Sequence, residues 1–173
     1  PREQPLDTVV QAFWQVSRGN AYKHEIIIPQ GVVEIIFNFT GNVQIPYSMY
    51  NADYTMPRSF VQGYHTKPIT LNLPAYQSLF GVALHTATAK QILGIPPGEI
   101  ARQCIDMTLI DPYFHELWHK LADLQSFYSR TNLLSQWILQ RLSTFSDRDH
   151  AFNTLLTLET DNKLSVASIS DWL

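Results

Sequence analysis

Val32-Val33-Glu34-Ile35-Ile36-Phe37-Asn38-Phe39-Thr40 alternates with a period of two. Val33, Ile35, Phe37 and Phe39 fall on one face, and Glu34, Asn38 and Thr40 share the other with Val32 and Ile36. A strand written this way packs one face on a core and leaves the other free for a different use. Pro29-Gln30-Gly31 and Thr40-Gly41-Asn42 bracket it as turns.

Around this strand, β-branched and aromatic residues dominate the chain as far as residue 86, with Pro or Gly punctuating them. Phe13 to Val16, Glu25 to Ile28, Ser59 to Thr66, Ile69 to Leu73 and Leu79 to His85 are the further candidate strands. Asn51 to Arg58 reads as a loop. Beyond residue 86 the pattern turns helical. Thr86 to Leu93 is a short helix stopped by Gly94 and Pro96-Pro97. Asp111-Pro112 places an N-cap acid before a proline at the first helical position. The helix it opens carries Phe114, Leu117, Trp118, Leu121 and Leu124 at helical spacing. A second helix begins at Thr131 or Asn132, with Leu134, Trp137, Ile138, Arg141, Leu142 and Phe145 on its stripe, and a third runs through Ala151 to Leu156. The expected fold is α+β: a small antiparallel, cupin-like β-barrel followed by a C-terminal layer of antiparallel helices. Residues 1–110 form its β-rich, sensor-like part, 111–160 a helical dimerisation region, and 161–173 the start of a further, truncated unit.

Composition narrows the function. The chain of 173 residues has 12 Lys and Arg against 15 Asp and Glu, scattered singly, for a net charge of −3. A DNA-binding domain shows a basic stripe, so these residues alone are not expected to bind DNA. Charged residues make up 16%, below the average of about 25%, which fits either a surface covered by a partner or a merely polar one. Cys104 stands alone, which excludes an internal disulfide and suits a reducing cytoplasm. No apolar run reaches the roughly 18 residues of a membrane helix, and the N-terminus lacks a signal-peptide layout. Membrane partners are therefore not expected, and the expected location is cytoplasmic.

His115-Glu116-Leu117-Trp118-His119 matches the zinc-hydrolase pattern H-E-x-x-H on a helix. Two imidazoles one turn apart can share a zinc ion, with the glutamate polarising its water. The site lacks a third ligand at a suitable distance, since Glu159 is the next glutamate downstream. The pattern is kept only as an alternative, and no metal or cofactor is expected. His65 and His85 lie on candidate strands where a barrel interior could gather them, or are ordinary packed histidines. Glu34 and Asn38 either face solvent or line a ligand cavity. Trp14, Tyr50 and Tyr64 are candidate aromatic walls or core residues. Leu134, Trp137, Ile138, Arg141 and Leu142 pack on the β-layer or form a homodimer seam, and both can hold, since the stripe is wide enough for two faces.

At the C-terminus, Lys163-Leu164-Ser165-Val166-Ala167-Ser168-Ile169-Ser170-Asp171-Trp172-Leu173 begins a capped helix and then stops, as expected of a piece of a longer protein. This stretch resembles the opening of the AraC/XylS-type DNA-binding domain, with Ser170 where alanine is usual. Val10 with Trp14, Pro29-Gln30-Gly31-Val32-Val33-Glu34, and Phe80-Gly81-Val82-Ala83-Leu84 followed by Ile92-Leu93-Gly94-Ile95-Pro96 and Glu99-Ile100 resemble an N-terminal sensor domain of such regulators. Where that domain usually carries Pro-Gly, this chain has His85-Thr86. The resemblance implies a transcription regulator whose small-molecule effector, if any, would sit in the β-domain. It also implies a homodimer, and promoter DNA contacted only through a helix-turn-helix domain beyond Leu173. On this expectation the chain is not an enzyme.

Overall fold

The computed structural model describes residues 5–19, 24–40, 44–45, 54–72 and 74–142. After a 3-10 turn at Pro5–Thr8, the strands are β1 (Val10–Gly19), β2 (His24–Ile27), β3 (Val33–Asn38), β4 (Gln44–Ile45), β5 (Tyr54–Thr55), β6 (Ser59–Gln62), β7 (Ile69–Asn72), β8 (Tyr76–Leu84) and β9 (Cys104–Asp106). The helices are α1 (Ala89–Leu93), α2 (Pro97–Ile100), α3 (Met107–Ile110), α4 (Tyr113–Asp123) and α5 (Phe127–Leu142).

Five strands form one antiparallel sheet in the order β1-β8-β3-β6-β9, while β2-β7 and β4-β5 are separate two-stranded ribbons. The chain is therefore α+β as expected, but the sheet is open rather than closed into a barrel. β9 is only three residues long and ends at Asp106. The Asp106 carboxylate accepts from the Thr108 amide at 2.8 Å and caps α3, so the chain leaves the sheet before β9 can meet β1.

β3 divides its side chains as its period requires. Val33, Ile35 and Phe37 join Val61, Phe80, Val82 and Leu84 on one face, all fully buried under the helices. Phe37 stacks on Phe80 at 6.2 Å and on Phe114 of α4 at 5.8 Å, and Trp137 of α5 meets the edge of Phe114 at 5.0 Å. This aromatic column ties the sheet to the helix layer. Each such ring contributes roughly 1.5–3 kcal/mol by burial. The core is continuous across residue 110.

The helices begin and end where local chemistry dictates. Gly94 closes α1 at φ 72°, with its amide donating to the Lys90 carbonyl at 2.7 Å. Helix α5 starts at Phe127, before the expected Thr131, because the Ser126 hydroxyl accepts from the Ser129 amide at 3.0 Å. The two long helices run antiparallel. Arg141 near the end of α5 pairs with Asp111 ahead of α4, and Arg130 near the start of α5 donates to the Leu121 carbonyl at 3.0 Å.

Leu134, Trp137, Ile138 and Leu142 face this core, each less than one-tenth exposed, and Arg141 lies over Trp137. The stripe considered for a dimer seam thus covers the chain's own sheet, because Phe37 and Phe114 need that cover. The expected helix at 151–156, residues 161–173 and Tyr50 lie outside the described residues.

Candidate functional site

Among the described residues, no helix covers the other face of the sheet. Trp14 and Val16 of β1, Glu34 and Ile36 of β3, Phe60 and Gln62 of β6, and Leu79 of β8 floor a cleft of about 380 Å³. Glu25 and Ile27 of β2, then Ile28-Pro29-Gln30, supply another wall, with Met56 and His65 also lining it. The volume lies within the range of about 300–1,000 Å³ typical of small-molecule sites.

Its centre is a hydrogen bond across the sheet. Trp14 Nε1 donates to Glu34 Oε1 at 2.8 Å. The indole can lie flat across the floor because Gly81 stands between them, in register with Trp14 on one side and Ile36 on the other. A Cβ on Gly81 would come within 2.5 Å of the Trp14 ring. Burial pushes the Glu34 carboxyl above its ordinary value, and the Trp14 bond, which favours the charged form, offsets only part of this.

Gln62 on β6 donates its amide to Nε2 of His65. Burial, and then the charge of Arg102, lower the His65 pKa, so the neutral ring is favoured. At the rim, Arg18 of β1 and Glu25 of β2 face each other at 3.8 Å. Cys104 belongs to the small apolar cluster of Ile36 and Phe60, with Trp14 and Met56 packed against it. Burial, and then the charge of Asp106, push its thiol up to about 12, so the unreactive form prevails.

Of the residues singled out from sequence, Trp14, Glu34 and His65 meet in this cleft, and Asn38, Tyr64 and His85 do not line it. Asn38 is 2% exposed and turns its Oδ1 to the Thr40 amide at 2.9 Å, while its carbonyl accepts from Trp118 Nε1 at 2.9 Å. The strand expected over Ser59 to Thr66 ends at Gln62, because Gly63 packs against the Ile100 carbonyl where a Cβ would stand 1.7 Å away. Tyr64 then leaves the sheet and its carbonyl accepts from the Arg102 amide at 3.1 Å. His85 ends beyond β8, its carbonyl receiving the amides of Thr88 and Ala89 as α1 begins. Arg18, Glu25, Gln62 and Phe60 were not singled out from sequence. Same-face spacing from Trp14 on β1 and along β6 is the signal that would have found Arg18, Phe60 and Gln62.

The H-E-x-x-H pattern lies on α4, with its histidines exposed and their ring centroids 5.1 Å apart. Glu116 bonds Lys120 at 2.7 Å. Among the described residues no three His, Cys, Asp or Glu side chains gather around a common point, and Glu159 lies outside them. His115 also borders a smaller hollow of about 260 Å³ with Arg58, Ser59 and Trp118.

Residues 1–106 match a family described only as a domain of unknown function, DUF6597. The match runs from ahead of β1 to the last residue of β9, so every residue lining the cleft falls within it. No curated protein and no solved structure matches the chain. Covering well over half of the 173 residues, the match shows that the chain belongs to the DUF6597 family.

Proposed function

We propose that this chain is the ligand-sensing part of a transcription regulator of the AraC/XylS type, with its cleft as the effector site. The observation that carries the proposal is the contrast within one sheet. One face is buried under helices in a continuous apolar core, and the other holds a concave, mostly apolar cleft around the Trp14–Glu34 pair. A few placed polar groups in an apolar hollow is the ordinary make-up of a small-molecule site. The regulator part of the proposal rests on the sequence likeness at 163–173 and on the Pro29 to Glu34 and Phe80 to Pro96 segments.

The groups in the cleft favour binding over turnover. Glu34 is engaged by Trp14, His65 by Gln62, and the buried Cys104 thiol does not line the cleft. Self-association, as part of the same proposal, uses the outer face of α5, where Tyr128 is 73% and Leu139 40% exposed. No helix among the described residues is long and apolar enough to cross a membrane.

A thermal-shift screen of soluble metabolites against the 173-residue chain tests the effector site. A true ligand at a hundred times its Kd stabilises by about 2.7 kcal/mol, or roughly 5–10 °C at this chain length. Some compounds are expected to give such shifts and to lose them in Trp14→Ala. No stabilising compound, or shifts that survive Trp14→Ala, would overturn the proposal.

A further inference from the structure

Four ionisable side chains line the cleft: Arg18, Glu25, Glu34 and His65. Arg18 and Glu25 offset each other at the rim. His65 is neutral in character, its Nε2 occupied by Gln62. What is left is Glu34, on the floor, with Oε1 taken by the indole and no ion-pair partner among the described residues. A carboxylate in an apolar hollow without a cation is costly, and a cationic guest removes that cost through a charge-assisted hydrogen bond.

We propose that the cleft selects a primary amine with an apolar body, its ammonium group bonded to Glu34 Oε2 and its hydrocarbon lying between Ile36, Phe60 and Leu79 on the floor and Ile27 on the wall. The proposal rests on the cleft being a ligand site and adds the class of ligand. An anionic guest meets the Glu34 charge, and the one Lys or Arg among the described residues that line the cleft, Arg18, faces Glu25 at the rim. The volume of about 380 Å³ accommodates a single ring and a short chain.

The test uses three probes with one skeleton: 4-phenylbutylamine, 4-phenylbutanol and 4-phenylbutyrate, titrated calorimetrically into the 173-residue chain near neutral pH. The amine is expected to bind at least about tenfold more tightly than the alcohol, and the carboxylate most weakly. Glu34→Gln, which keeps the acceptor for Trp14, is expected to reduce amine affinity about tenfold and leave the alcohol within about threefold. Retained alcohol binding shows that the variant is folded, and Glu99→Gln, at an exposed position on α2 outside the cleft, is expected to leave the amine within about threefold. Alcohol or carboxylate binding as well as the amine would overturn the cation preference while leaving the cleft a ligand site. Amine affinity that survives Glu34→Gln would overturn it too. Binding by none of the three also overturns it, whereas the sensing proposal falls only if the metabolite screen is empty as well.

Discussion

Neighbouring residues of β3 live in two different solvents. Val33, Ile35 and Phe37 are fully buried against helices α1, α4 and α5, in one continuous apolar cluster. Glu34, between them in sequence, sits on the opposite face with Trp14, Gln62 and Leu79 around a cleft. The same backbone, with the same hydrogen bonds to β6 and β8, serves both. The helix-covered face holds the fold together, because close packing leaves it no room to vary. The opposite face, which no helix covers among the described residues, can place unlike groups side by side around an open volume. A rigid floor follows, which is what an effector site requires if its polar groups are to stay positioned.

Breaking the covered face has the largest effect. Phe114→Ala empties the middle of the column between Phe37 and Trp137 and is expected to cost about 3–5 kcal/mol in chemical denaturation. A loss under about 1 kcal/mol would mean that the helix layer does not anchor the sheet.

Gly81→Ala acts from the cleft side. The new methyl group displaces the Trp14 indole and breaks its bond to Glu34, for a loss of about 1–3 kcal/mol. Ligands found by thermal shift are expected to lose their effect in this variant, whereas full retention of stability and binding would place Trp14 elsewhere.

The smallest effect sharpens the contrast through pH. Glu34 has its pKa raised by burial, so the folded state favours the protonated form. Its contribution is fully present below the ordinary value of 4.5 and is lost as pH rises through the folded value. Glu34→Gln carries no charge to desolvate. It is therefore expected to melt at a higher temperature than the parent near neutral pH, with the difference closing below about pH 4.5. The His65 shift runs the other way, lost as pH falls, but it is common to both proteins and cancels in the comparison. Melting curves that stay parallel across the range would show Glu34 to be solvated.

The two faces of β3 were legible because the side-chain period of a strand is local, and Glu34 stood out from it, whereas Trp14 was read only as an aromatic wall or a core residue. The open sheet was not legible, since closure depends on which distant edges pair. The deciding fact is the capping of α3 by Asp106 after a three-residue strand too short to carry a pattern. Asn38 shares the parity of Glu34, yet its side chain bonds its own backbone two residues on, a competition that periodicity does not register. Tyr64 and His85 were misplaced because their strands stop early, one of them at a glycine pressed against a distant carbonyl. On α5 the apolar stripe was visible, but a stripe has the same spacing whether it covers a sheet or a second copy.

The most direct measurement follows the indole N–H signals of the ¹⁵N-labelled chain by NMR, with Trp14 assigned through Trp14→Phe. A ligand from the thermal-shift screen is predicted to move the Trp14 signal, whose proton points to Glu34. It should leave Trp118, bonded to Asn38 on the helix side, and Trp137, buried against Phe114, in place. A ligand that moves Trp118 or Trp137 and leaves Trp14 unmoved would contradict the assignment of the open face as the sensing site.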